Sequence, residues 1–161
     1  MLGRCRLVSL AGRLDAVPLV GSLLGRRLAS SNATLAGCAY LAQNAEREGV
    51  RATPTGLQYR VLRSGADDAA QPTATSSCEC HYRGRFVDGD EFDSSYERLG
   101  APAIFLVSER LPGWTEALLL MREGDAWELT LPPELAYGAE KNGPVPANSV
   151  VVYELELLKV W

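Results

Sequence analysis

The stretch Arg110-Leu111-Pro112-Gly113-Trp114-Thr115-Glu116-Ala117-Leu118 constrains the fold most, because it sets a tryptophan directly behind a Pro-Gly stop and at the head of a short helical pattern. Pro112 and Gly113 break any strand that precedes them, so the chain turns here. Trp114, Ala117, Leu118 and Met121 then recur at spacings of three and four, the apolar stripe of a short amphipathic helix. A tryptophan in such a place is ordinarily core. Fixed at a helix start and flanked by strands, its ring can equally form the floor of a pocket.

The flanking segments read as strands. Leu57, Tyr59 and Val61 alternate with Gln58, Arg60 and Leu62 up to Ser64-Gly65. Cys78, Cys80, Tyr82, Gly84 and Phe86 alternate with Glu79, His81, Arg83 and Arg85, which gives one buried face. Asp88-Gly89 is a hairpin signal, after which Phe92 restarts the pattern. Ala103 to Val107 is a continuous apolar run, expected to be buried on both faces. Trp127, Leu129 and Leu131 alternate up to Pro132-Pro133, and Val151, Tyr153, Leu155 and Leu157 form the last strand. The expected class is therefore α+β, a curved antiparallel sheet of about five strands wrapped around one short helix.

An N-terminal helix precedes the sheet. Asn32 is a plausible N-cap, Leu35, Cys38, Ala39, Ala42 and Ala45 share a face, and Gly49 is the stop, so the helix is expected over 32–50 and the main domain over 55–161. Residues 1–31 form a targeting segment or a disordered tail. They carry Arg4, Arg6, Arg13, Arg26 and Arg27 against Asp15 alone, the composition of an organelle transit peptide. A mitochondrial destination is the preferred reading, with a secretory signal or a cytoplasmic tail behind it. The apolar run from Ala16 to Gly25 is too short to span a bilayer.

Several chemistries are excluded. The net charge of -4 argues against a nucleic-acid partner. His81 is the only histidine and lies on the polar face of its strand with no partners for a triad. Ligand count fails for a metal site, and no Gly-rich phosphate loop occurs, so no cofactor is expected. The acids Asp88, Asp90, Glu91 and Asp93 cluster at a hairpin turn, where most are solvated. What is left is an aromatic set at strand ends: Tyr82, Phe92, Phe105, Trp114, Tyr137 and Tyr153. With Asp93 beside Phe92, these make an apolar concavity with polar handles, the form of a small-ligand site.

Tyr82-Arg83-Gly84, Asp88-Gly89, Phe92-Asp93-Ser94-Ser95, Pro112-Gly113-Trp114, Met121-Arg122-Glu123-Gly124-Asp125, Leu135-Ala136-Tyr137-Gly138 and the Val152-to-Leu158 strand together resemble the FKBP-type peptidyl-prolyl cis-trans isomerases. The likeness covers roughly residues 55 to 160. Asn44 to Tyr59 is similar to the linker helix and first strand of the macrophage-infectivity-potentiator branch.

That resemblance implies rotamase activity on X-Pro bonds of polypeptides, with a non-catalytic chaperone-like or partner-binding module as the alternative. It makes Trp114 the pocket floor, Tyr82, Phe92 and Tyr153 its walls, and Phe105 a further substrate contact. Leu111 would supply a backbone N–H, Asp93 a polar contact, Tyr137 a hydroxyl to a substrate carbonyl and Val145 an apolar lip. Macrolide inhibitors are possible ligands, and a monomer is expected because few helical residues precede the domain. Ala103, Arg110 and a short, histidine-free 139–146 loop depart from the family pattern, and none of them removes the floor or the tyrosine hydroxyl.

Overall fold

The computed structural model describes residues 25–98 and 100–161. Helix α1 (Gly25–Ala45) leads into strands β1 (Val50–Ala52), β2 (Gln58–Arg63), β3 (Ser77–Phe86) and β4 (Glu91–Ser94). A single helical turn, α2 (Ser95–Arg98), precedes β5 (Ala103–Leu106), helix α3 (Pro112–Leu120), β6 (Ala126–Leu131) and β7 (Val151–Val160). All pairings are antiparallel, in the order β1-β2-β6-β7-β3-β4, with β5 also on β3.

The sheet thus has seven strands where about five were expected. The strand not foreseen is β1, whose three residues are too few for an alternating pattern to register in sequence, while β4 is the four-residue strand in which Phe92 restarts the pattern.

Alternation along β6 decides which face meets which helix. Leu131 faces α3, since a Cβ added at Gly113 would lie 2.4 Å from its Cδ2. Thr130 and Glu128 face the other way, toward α1, and bond to Asn44 and Arg47. Trp114, Ala117, Leu118 and Met121 are all buried, as the stripe required, with Met121 just beyond the helix end. Pro112 occupies the first helical position, where its missing N–H costs nothing.

On the α1 side, Gly37 allows the helix to lie directly on the sheet: a Cβ there would sit 2.7 Å from Val150 Cγ2. Glu128 is 5% exposed and is compensated by Arg47 and Arg60 at 3.3 Å and Arg85 at 2.7 Å. Breaking that cluster from one side would leave a buried charge uncompensated.

Two expectations are corrected. Helix α1 runs from Gly25 to Ala45, so Asn32 lies inside it and caps nothing. Residues 25–31 are helical, and the rest of the 1–31 segment lies outside the described residues. The apolar run at Ala103 is not doubly buried either. Strand β5 pairs only with β3, and Ile104 is 66% exposed at that edge. A continuous apolar run has no period, so its exposed side cannot be read from it.

Candidate functional site

Trp114 stands in the first turn of α3 and is 5% exposed. Its indole is packed by Tyr153 at 5.0 Å and 88°, Tyr82 at 5.1 Å and 71°, and Phe105 at 5.6 Å and 50° between rings. Edge-to-face contacts of this kind fix ring orientation beyond what area burial alone would do. The indole Nε1 is buried without a hydrogen-bond partner, so packing alone holds the ring.

Above it opens a cavity of about 590 Å³, within the size range of small-ligand sites. Tyr82, Asp93, Phe105, Leu111, Trp114, Tyr137 and Tyr153 line it. Seven of the nine residues singled out from the sequence are thereby brought together.

The other two are elsewhere. Phe92 does not reach the cavity; its ring stands 5.7 Å from Tyr153 at 83° and 4.8 Å from Phe86, bracing Tyr153 from behind. Val145 is 2% exposed and packs in the core, so it is not a lip. A turn in which Val145 and Asn142 exchange backbone bonds at 2.9 and 3.0 Å carries it inward.

Arg98, Pro102, Ile104 and Glu109 also line the cavity and were not foreseen. Arg98 ends α2, Pro102 lies on the crossover, Ile104 sits in β5 and Glu109 in the turn after it, segments without a hydrophobic period to reveal a facing side.

Polar groups ring the apolar floor. The Tyr82 hydroxyl donates to Asp93 Oδ2 at 3.1 Å and accepts from Arg98 Nη2 at 2.7 Å. Burial raises the Tyr82 phenol above its ordinary range, and the Asp93 charge adds to this. Its backbone is pinned too: Tyr82 N–H donates to Ser95 Oγ at 3.0 Å, and that hydroxyl also lies 3.0 Å from His81 Nδ1. The Tyr137 and Tyr153 hydroxyls share a bond of 2.7 Å. Burial raises both phenols as well, so all three hydroxyls are protonated at neutral pH.

The Leu111 carbonyl accepts from Trp114 and Thr115 N–H, whereas its own N–H donates to no acceptor among the described residues. A free backbone donor at the mouth of an apolar cavity is suited to a carbonyl oxygen. Cys78 and Cys80 are buried thiols held above their ordinary range by burial. Among the described residues no cluster of histidine, cysteine, aspartate and glutamate could hold a metal ion.

Comparison with known families decides the matter. The sequence profile described as FKBP-type peptidyl-prolyl cis-trans isomerase matches residues 68–158, more than half of the chain. This chain belongs to the FKBP-type peptidyl-prolyl cis-trans isomerase family. A second profile, the domain amino terminal to such isomerases, matches residues 26–61 of this FKBP-type chain, α1 through most of β2.

Among its relatives, the FKBP-type 22 kDa peptidyl-prolyl cis-trans isomerase of Escherichia coli is 48% identical over 125 residues, 77% of this chain and 59% of that protein. The outer membrane protein MIP of Legionella longbeachae is 39% identical, over 77% of this chain and 52% of its own. The crystal structure of FkpA from Escherichia coli superposes with a TM-score of 0.78 at 35% identity, covering 84% of this chain and 62% of that one. The FKBP-type chain thus spans somewhat over half the length of these relatives. The name outer membrane protein agrees with the secreted alternative for the N-terminal segment and lends the mitochondrial reading no support.

Proposed function

We propose that this FKBP-type chain catalyses cis-trans isomerisation of X-Pro bonds in polypeptides. The observation that carries the proposal is the Trp114-floored cavity bordered by the unpaired Leu111 N–H and the protonated Tyr137 hydroxyl.

The physical reason lies in the amide. An X-Pro bond turns slowly because rotation breaks its resonance, against a barrier of about 18–20 kcal/mol. The planar amide is more charge-separated than the twisted one, so transfer from water into an apolar cavity destabilises the ground state more than the transition state. No covalent bond is made or broken. Each tenfold gain in rate requires about 1.4 kcal/mol, and desolvation plus one or two hydrogen bonds to the flanking carbonyls can supply several such factors.

In this reading the prolyl ring rests on Trp114 between Tyr82, Phe105 and Tyr153. Leu111 N–H and the Tyr137 hydroxyl hold carbonyls, and Asp93 orients Tyr82. Phe92 acts by bracing Tyr153. Residues 55–161 form the catalytic unit, the segment before α1 addresses the chain for export, and the chain acts as a monomer that also accepts macrolides. Mass measurement of the mature chain checks export, sedimentation checks the monomer, and titration with a macrolide checks binding.

A protease-coupled or NMR-exchange assay on short X-Pro peptides tests the activity itself. Trp114→Leu is expected to remain folded and to lose most of the rate. Turnover of the wild type at only the uncatalysed rate would leave the partner-binding module as the function.

A further inference from the structure

We propose that Arg110 makes the cavity selective for X-Pro segments that carry an acidic side chain beside the proline. The inference rests on the isomerase reading and names its substrate class. Four charged side chains border the cavity, Asp93, Arg98, Glu109 and Arg110, so their formal charges cancel. Selectivity must then come from how each one is engaged.

Asp93 and Arg98 are tied to each other through the Tyr82 hydroxyl. Arg110 is engaged differently. It is exposed, and its guanidinium carbon lies 4.9 Å from the centre of the Phe105 ring, which itself packs on Trp114. None of the ion pairs among the described residues includes Arg110.

The cation–π contact leaves the guanidinium N–H donors, none of which bonds to an acceptor among the described residues, open to a carboxylate. The aromatic ring also restrains the side chain, so less rotamer freedom is lost when a carboxylate binds. Glu109 borders the same cavity but does not pair with Arg110, so an incoming acid displaces no internal partner. It does repel that acid, which makes the gain depend on position: an acid on one side of the proline is favoured and on the other it is not.

The test is isomerisation of matched peptides Ala-X-Pro-Phe and Ala-Ala-Pro-X, with X as Glu, Gln or Lys, followed by NMR exchange with the full chain at low salt. At one of the two positions Glu should exceed Gln by about threefold in kcat/KM, the scale of an exposed ion pair, and Lys should fall below Gln. The Glu-to-Gln ratio should drop to one in Arg110→Leu and Arg110→Gln, persist in part in Arg110→Lys, and shrink in 1 M salt, where screening acts within about 3 Å. Equal Glu and Gln rates at both positions, or a Glu advantage that survives in Arg110→Leu, would overturn the inference while leaving the isomerase reading intact. Turnover of none of the peptides would overturn both.

Discussion

The Tyr153 hydroxyl, delivered from β7, lies 2.7 Å from the Tyr137 hydroxyl, delivered from the loop after β6. Only one proton lies between the two oxygens. Tyr153 is 2% exposed and Tyr137 half-buried, so the arrangement in which Tyr153 donates leaves the Tyr137 proton free for a ligand in the cavity.

Tyr137→Phe should therefore lower kcat/KM about tenfold, the equivalent of about 1.4 kcal/mol at the transition state. Tyr153→Phe keeps the ring packing and should cost about 1 kcal/mol of stability for the lost hydrogen bond. Peptide isomerisation and urea unfolding read the two effects. A Tyr137→Phe enzyme with wild-type kcat/KM would remove the hydroxyl from the mechanism.

The same phenols contribute to the alkaline limit of the fold. Tyr82, Tyr137 and Tyr153 are all raised, chiefly by burial, above the ordinary value of about 10 that they regain on unfolding. Above that pH the unfolded chain releases protons that the folded chain retains, so the phenols' contribution is full below about pH 10 and falls as pH rises further. Urea midpoints should begin to ease at about pH 8.5 to 9, where the raised Cys78 and Cys80 thiols start to count, and decline more steeply beyond about 10, the steeper part being reduced in Tyr153→Phe. An equally steep decline in that variant would assign the effect to other groups.

Gly84 keeps the wall of the site in place. A Cβ there would lie 2.6 Å from Tyr153 Cε1 and 2.9 Å from Phe92 Cζ, and both rings are already confined by aromatic neighbours. Gly84→Ala is an overpacking change expected to cost about 1–3 kcal/mol. Because the strain is relieved by moving Tyr153, catalysis should fall further than the unfolded fraction explains. Thermal unfolding together with kcat/KM well below the melting temperature separates the two, and normal activity in the folded variant would show that Tyr153 had not moved.

Where the chain alternates or repeats at helical spacing, its structure was legible in advance. The β3, β6 and β7 patterns and the Trp114–Met121 stripe gave the faces that bury the indole. The site was legible where one residue type in a fixed frame carried the signal, as with Trp114, Tyr137 and Tyr153. Arg98 and Ile104 were not, because the single turn of α2 and the unbroken apolar run of β5 have no period to show which side faces the cavity. Val145 misled for a different reason. Its place as a lip came from the family resemblance alone, and here backbone bonds to Asn142 turn it inward. The start of α1 was missed because Asn32 offers a capping side chain, whereas the helix already runs from Gly25.

Docking of α1 depends on one buried amide. Asn44 is 3% exposed; its Nδ2 donates to Gln58 Oε1 at 2.8 Å and Thr130 Oγ1 at 3.2 Å, and its Oδ1 accepts from Arg47 Nη1 at 2.8 Å. Gln58 in turn donates to the Leu41 carbonyl at 2.9 Å, which ties the helix to β2 and β6. Asn44→Ala leaves buried acceptors on the sheet unpaired and should cost about 1–3 kcal/mol. Kinetics should hardly change, because the network lies on the face of the sheet away from α3. Gln58→Leu alone strands Asn44 in the same way, but removing both partners leaves only Thr130 Oγ1 without its donor. The double variant should therefore be less destabilised than the sum of the singles, a coupling that urea unfolding of the four proteins measures directly. Additive losses would mean that packing at Gly37, and not the amide network, holds the helix on the sheet.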